Sequence, residues 1–236
     1  MALRQTGSSL EKVEKATLQD RIYQQLREAL ITGDFEPGET LPIARLTETF
    51  GTSPMPAREA VHRLIAEGAL QSEPNKLTRI PWLSLEHFTN LCQARSLLEG
   101  WAAEQAARIC TASQLKDLKT LHKELRKSVT MGDVTAILRT NRDFHFSLYG
   151  LCANPVLLKT IEGYWVQSGP YVRAIQNNRS LHNEAKHGDA LAPHRTLLEA
   201  LEAHDPAPAG DAIRQDIQNS VEWYERLLAQ LPRSRG

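Results

Sequence analysis

Four side chains that bind metals in other proteins fall on predicted helix faces that are otherwise apolar. Asn141 and His145 lie four residues apart on one such stripe, His194 lies on a second, and Asp216 borders a third. A buried polar group without a partner costs about 1–3 kcal/mol, so we expect these residues to converge. Two imidazoles, a carboxylate and an amide oxygen can hold a divalent metal such as zinc, nickel or manganese. The alternative is that each histidine is a core residue satisfied by a backbone carbonyl or an ion pair.

A buried arginine is predicted on the first helix of the same region. Arg95 lies on an apolar stripe, and Glu99 follows one helical turn later. A guanidinium binds a carboxylate through two parallel hydrogen bonds, so Arg95 is expected to hold the carboxylate of a small organic acid. The other candidates for the wall of this effector site are Glu99, Tyr149, Trp165, Tyr171 and Arg173. The aromatic residues among them are equally compatible with a simple core.

These residues belong to a segment, residues 83–231, in which every long stretch has helical periodicity. The predicted helices cover residues 84–109, 112–130, 134–151, 155–176, 181–203 and 208–231. Gly169 and Pro170 are expected to break or kink the fourth of these helices. The pattern predicts an all-α bundle.

The preceding residues, 17–82, predict three short helices and a β-hairpin, which together make a winged helix-turn-helix. Gly51 ends the second helix, and Ser53 is expected to cap the third, which begins at Pro54. Two extended segments, 69–72 and 77–82, form the hairpin. Residues 1–16 are polar and are expected to form a flexible tail. The fold class is therefore mainly α, with a DNA-binding domain ahead of a helical bundle.

The third predicted helix carries cationic side chains on its polar face, where a recognition helix would meet the major groove. Arg58, His62 and Arg63 form this outward set, and Lys76 and Arg79 on the hairpin could reach phosphates. The alternative is that they are ordinary solvated charges, because residues 1–82 contain ten Lys and Arg against eleven Asp and Glu. Charge alone does not identify this domain.

Overall composition excludes several classes of protein. The 28 basic and 28 acidic residues cancel, which argues against coating nucleic acid by bulk charge but leaves a small sequence-reading patch open. No apolar run approaches the roughly 18 residues needed to cross a bilayer, so no membrane association and a cytoplasmic location are expected. The three cysteines are widely spaced and lack a CxxC pair, so neither a disulfide framework nor a thiolate zinc site is predicted.

The N-terminal motifs closely resemble those of the GntR family of bacterial regulators. The resemblance rests on residues 31–38 (ITGDFEPG), 51–53 (GTS), 56–60 (PAREA) and 67–68 (EG). It implies that Arg58 contacts bases or phosphates, that Ser53 touches the DNA backbone, and that the wing tip is residues 74–76. Many members have arginine where this chain has Pro54. The absence of that cation should weaken DNA binding or change the sequence that is recognised. The complete set expected at the DNA is Arg45, Ser53, Pro54, Met55, Arg58, His62 and Lys76.

The C-terminal motifs resemble the FCD effector domain found in the FadR subgroup of that family. They are residues 95–99 (RSLLE), 141–145 (NRDFH), 194–200 (HRTLLEA) and 212–217 (AIRQDI). Metal-binding members use Asp or Asn, then His four residues later, then two further histidines. Asn141, His145 and His194 match, but Asp216 stands where the last histidine is usual. A carboxylate is a harder ligand, which moves the expected preference toward manganese, iron or zinc.

The sequence therefore predicts a homodimeric transcriptional regulator, most simply a repressor. It would bind a double-stranded operator and respond to a small acidic metabolite. One alternative is a metal-dependent enzyme that uses the two histidines and the carboxylate, although no HExxH, GxSxG or phosphate-binding loop occurs. Another alternative is a helical module that binds a partner protein.

Overall fold

A computed structural model describes residues 17–73, 77–179 and 190–230. The N-terminal unit contains α1 (Leu18–Ile31), α2 (Ile43–Phe50), α3 (Pro54–Ala66), β1 (Gln71–Ser72) and β2 (Thr78–Arg79). The two strands pair antiparallel as a hairpin. The mainly α fold with a winged helix-turn-helix is thus confirmed, although the strands are shorter than predicted and residues 74–76 lie outside the described part.

The ends of α1, α2 and α3 follow from local chemistry. Thr17 and Asp20 form a reciprocal capping box at the start of α1. Gly51 ends α2 in the left-handed conformation, with φ 59°, which glycine adopts without steric cost. Ser53 is the N-cap residue of α3, but its hydroxyl makes no capping hydrogen bond, contrary to expectation. Ser53 is an exposed residue.

The C-terminal unit is a bundle of six helices within the described residues. They are α4 (Leu85–Ile109), α5 (Ala112–Met131), α6 (Val134–Gly150), α7 (Pro155–Arg179), α8 (Ala192–Glu202) and α9 (Pro206–Gln230). The fifth predicted helix was placed too early, because residues 190 and 191 form a turn before α8. The predicted start at residues 181–189 lies outside the described part. No helix in the described ranges has the length and apolar character to span a bilayer.

The predicted break at Gly169 and Pro170 does not occur, because α7 continues through both residues. Packing overrides the cost of the proline here. Tyr171 is fully buried, and its hydroxyl donates to the carbonyl of Pro81 at 2.5 Å. Ala174 and Ile175 are buried in the same core. Tertiary contacts thus hold the helix in place after Pro170.

The N-terminal unit packs closely against α7 of the helical bundle. Val166 of α7 belongs to the hydrophobic core of the N-terminal unit. A Cβ atom at Gly169 would lie 2.0 Å from the carbonyl oxygen of Leu30, so only glycine permits this approach of α1. Ion pairing between Arg142 and Glu28 closes the edge of the boundary. The end of α1 is therefore fixed against the helical domain.

Candidate metal and effector site

Three side chains with metal-binding groups meet inside the helical bundle. His145 of α6, His194 of α8 and Asp216 of α9 offer ligand atoms that all lie within 4.8 Å of one another. The Nε2 atom of His145 is 3.5 Å from Oδ2 of Asp216, and Nε2 of His194 is 3.5 Å from Oδ1. Ligand atoms held ~2.1 Å from a tetrahedral ion lie about 3.4 Å apart. The spacing therefore fits one divalent ion between these three residues.

The surroundings of His194 point to a missing partner. Its side chain is buried, and neither ring nitrogen has a hydrogen-bond partner among the described residues. At 3.5 Å the carboxylate of Asp216 is too distant for a normal N–H···O bond. A buried polar group left unsatisfied costs about 1–3 kcal/mol. A cation bound to Nε2 would remove part of that cost.

A chain of hydrogen bonds sets the tautomer of His145. The hydroxyl of Tyr149 donates its only proton to Oε2 of Glu99, at 2.6 Å. Its oxygen therefore accepts from Nδ1 of His145, at 2.9 Å. The hydrogen then lies on Nδ1, and the lone pair of Nε2 faces the carboxylate of Asp216. Metal-binding histidines characteristically have this arrangement, with the other ring N–H held by an acceptor.

The carboxylate at the far end of this chain is itself tightly held. Nε of Arg95 donates to Oε1 of Glu99 at 2.6 Å, and the indole N–H of Trp165 donates to Oε2 at 3.0 Å. Arg95 and Glu99 are both buried. Burial opposes the charge of Arg95, but Glu99 outweighs it and raises the pKa of the guanidinium. Arg95 therefore stays cationic beside its internal carboxylate.

The protonation states in the cluster match what a metal ion requires. Burial lowers the pKa of His145 to about 3, despite the opposing charge of Asp216. Burial would raise the pKa of Asp216, but the two neighbouring imidazoles outweigh it and lower the pKa to about 2. Burial and then Glu99 raise the pKa of Tyr149 well above its ordinary value, so the phenol remains a donor. A neutral imidazole and an ionised carboxylate are ready to coordinate at neutral pH.

His122 is a further neighbour of this cluster that was not among the predicted site residues. His122 of α5 is buried, with its ring centre 6.0 Å from that of His194. Phe144 stacks on the ring of His194, at 4.7 Å and an interplanar angle of 22°, and its ring centre is also 6.0 Å from that of His122. Leu118, His122 and Leu125 have the i, i+4 and i+7 spacing of one helical face, which is the kind of pattern that indicated burial of His145. The sequence therefore also indicated that His122 is buried.

A cleft with two lobes opens beside the three ligands. The larger lobe, about 90 Å³, reaches His194, and the smaller, about 40 Å³, reaches His145 and Arg95. Both lobes share five lining residues: Leu138, Asn141, Val172, Asp216 and Ser220. Ile31, the last residue of α1, also lines the smaller lobe. The DNA-binding unit thus supplies part of the wall.

The residues predicted to contact an effector do not all lie on the wall of the cleft. Arg95 lines the smaller lobe, but its guanidinium is paired with Glu99. Glu99 and Tyr149 are fully buried behind His145 and line neither lobe. Arg173 also lines neither lobe, and its guanidinium donates to the hydroxyl of Thr135 at 3.3 Å. Contrary to expectation, Glu99, Tyr149 and Arg173 are therefore not on the wall of the cleft.

The outward face of α3 carries the predicted DNA-reading side chains. Met55, Arg58 and His62 are exposed at the i, i+3 and i+7 spacing of one helical face. Ser53 and Pro54 are exposed at its start. Arg45 of α2 is also exposed and pairs with Glu39 at 3.2 Å. Lys76 lies outside the described residues.

Two cations expected to face DNA are engaged elsewhere. Arg63 pairs with Asp20 of α1 at 2.7 Å, and its guanidinium lies 3.7 Å from the ring centre of Tyr23. Arg79 of the hairpin pairs with Glu73 at 2.5 Å. Arg63 therefore fastens α3 to α1, although its side chain remains 43% exposed.

A winged helix-turn-helix with an exposed cationic helix, fixed to an all-helical domain, defines the class of two-domain DNA-binding regulators. Family comparison agrees: residues 18–80 match the gntR family of bacterial regulatory proteins, and residues 90–219, more than half of the chain, match the FCD domain. The chain therefore belongs to the GntR family of transcriptional regulators that carry a C-terminal FCD domain.

Three relatives are informative. McbR of Escherichia coli K12, an HTH-type transcriptional regulator, is 27% identical over 89% of this chain and 94% of its own. The Uxu operon regulator of Haemophilus influenzae is 29% identical over 87% of this chain and 81% of its own. GlaR of E. coli K12, named a transcriptional repressor, is 24% identical over 88% of this chain and 96% of its own.

The solved structure of E. coli McbR/YncC superposes with a TM-score of 0.80 at 26% identity. The superposition covers 91% of this chain and all of that one. Since these relatives are named as regulators of transcription, the alternative of a metal-dependent enzyme is not supported.

Proposed function

We propose that this protein is a repressor whose affinity for its operator is set by a small carboxylic acid bound together with a divalent metal in the helical domain. The observation that carries the proposal is the pair of 3.5 Å approaches between Asp216 and the two imidazoles. The name of the relative GlaR supports the sign of regulation. Action on DNA supports a cytoplasmic location.

His145, His194 and Asp216 would hold the metal, with the amide oxygen of Asn141 as a fourth donor. The lone pair on Nε2 of His145 faces the carboxylate of Asp216 with no hydrogen between them, which is repulsive unless a cation lies there. Two imidazoles and one carboxylate suit zinc, iron, manganese or nickel. Such an ion polarises and binds oxygen ligands at its remaining positions.

A carboxylate is the ligand chemistry that this cleft favours. The metal and Arg95 both place positive charge beside the smaller lobe, while Ser220 and Asn141 offer polar groups that can orient a small molecule. Lobes of about 90 and 40 Å³ fit an acid of a few carbon atoms. Arg95 contributes here through its charge, because its Nε and Nη2 groups already donate hydrogen bonds to Glu99.

The route from the cleft to DNA would run through α1. Ile31 ends α1 at the smaller lobe. The same helix is tied to the recognition helix α3 by the ion pair between Arg63 and Asp20 and by the hydrogen bond from Tyr23 to Glu67. A ligand that moves the end of α1 therefore also re-orients α3. Couplings of this kind are typically worth ~1–3 kcal/mol.

Fluorescence anisotropy on a duplex from the promoter region of this gene tests the proposal. Metal-free protein, metal-loaded protein, and metal-loaded protein with a panel of small carboxylic acids are compared. We expect one acid to change the operator affinity about 5- to 150-fold only when metal is present. His194→Ala should lose this response, whereas substitution of the exposed His87 by alanine should keep it. An acid that acts equally in chelator would contradict the metal's role.

We also propose that the protein is a homodimer formed through α4. Leu97 and Trp101, one turn apart on α4, are 72% and 42% exposed, and Leu97 lines the open groove between α4 and α9. A second copy of the chain would cover them and place two winged helices on a two-fold operator. Light scattering after gel filtration should give a dimer for wild type and a monomer for Leu97→Glu. Val156→Glu, an equally exposed site on α7, is the control.

A further inference from the structure

An exposed apolar side chain stands at the start of the recognition helix. Met55 is 66% exposed, whereas Ala57, Val61 and Leu64 of the same helix are buried in the core. It shares the outward face with Arg58 and His62. Its position therefore places an unbranched, polarisable side chain where the helix meets a partner.

The same end of α3 is poorly built to bind a phosphate. The exposed N–H groups of a helix N-terminus usually supply such a site. Here Pro54 and Pro56 occupy two of the first three helical positions, and proline has no N–H to donate. An apolar contact suits this end of the helix better than a contact to an anion.

The major groove of DNA offers one apolar group to such a residue, the C5-methyl of thymine. Residues near the N-terminus of a recognition helix are those that reach base edges. We propose that Met55, supported by the rigid Pro54, reads a thymine methyl group in each half of the operator. Arg58, one turn later on the same face, reads the neighbouring guanine or a phosphate.

This inference rests on the DNA-binding function and adds a base preference to it. An arginine at the position of Pro54 would favour guanine, because it donates to the O6 and N7 atoms. The pair of Pro54 and Met55 instead favours a base step that contains thymine. The operator of this chain is therefore expected to carry thymine at that step.

Deoxyuridine provides a direct test, because it differs from thymidine only by the missing methyl group. Selection from a random duplex pool by the full-length protein first defines the bound half-site. Each thymine is then replaced by deoxyuridine, and affinities are measured by fluorescence anisotropy for wild type, Met55→Ala, and Met131→Ala as an exposed methionine control on α5.

We expect one thymine per half-site at which loss of the methyl weakens wild type and Met131→Ala about three- to five-fold. Met55→Ala should bind the thymine and uracil duplexes equally. The inference is overturned if every thymine replacement has the same effect on wild type and Met55→Ala. If the pool yields no preferred sequence, the DNA-reading function itself fails, which is a separate result.

Discussion

The Tyr149 hydroxyl donates to Oε2 of Glu99 at 2.6 Å, and this bond determines which nitrogen of His145 carries its hydrogen. Three helices take part, because Glu99 lies on α4, Tyr149 on α6, and Trp165 of α7 donates to the same carboxylate. The interior of the bundle thus leaves the lone pair of His145 Nε2 on the side that faces Asp216.

Tyr149→Phe should lower the metal affinity about 10- to 100-fold, the usual cost of removing the partner that orients a metal-binding histidine. Titration calorimetry with zinc measures the change. Tyr224→Phe is a matched control, because Tyr224 is also buried and donates to the carbonyl of Leu83 at 2.7 Å, away from the metal ligands. Equal losses in both variants would show that the bond to Glu99 is merely structural.

Gly169→Ala should loosen the contact between α1 and α7. The added Cβ would lie 2.0 Å from a backbone oxygen of Leu30, so the helices must separate, at a cost of about 1–3 kcal/mol. Urea denaturation measures the loss. Gly163→Ala on the same helix has open space around the new Cβ and should instead stabilise the protein by ~0.5–1 kcal/mol. Two similar shifts would contradict the close approach.

The misplaced break at Gly169 shows what the sequence could and could not predict. Helical periodicity correctly pointed His145 and His194 inward, because stripe spacing is a local property of one helix. The bond between Tyr149 and Glu99 joins residues 50 positions apart, and no single helix pattern encodes it. Gly169 resembled a helix breaker because the neighbouring α1 backbone, which requires a glycine there, is invisible in a local pattern.

Arg63→Ala should act on stability rather than on direct DNA contact. Its guanidinium bridges Asp20 and the ring of Tyr23, so its loss should lower the melting temperature of the protein. Arg58→Ala, at an exposed position on the same helix, should leave the melting temperature unchanged, weaken operator binding and change its salt dependence. Scanning calorimetry and anisotropy separate the two effects. An unchanged melting temperature in Arg63→Ala would contradict the assignment.

Ile31→Ala should separate ligand binding from the response of the DNA-binding unit. Ile31 contacts the cores of both units and lines the smaller lobe of the cleft. We expect metal binding to be retained. The coupling free energy between acid binding and operator binding should fall by about 0.5–2 kcal/mol. Ile109→Ala, at an exposed position of α4, is the control. A full response in Ile31→Ala would rule out α1 as the route.

The most direct measurement of the central claim is the metal content of the protein after equilibration with zinc and gel filtration, determined by plasma mass spectrometry. Wild type and the control His87→Ala should each retain about one ion per chain, as expected for a single three-ligand site. His194→Ala should retain almost none, and circular dichroism verifies that this variant is folded. Equal metal content in wild type and His194→Ala, or none in either, would contradict the assignment of His145, His194 and Asp216 as the metal site.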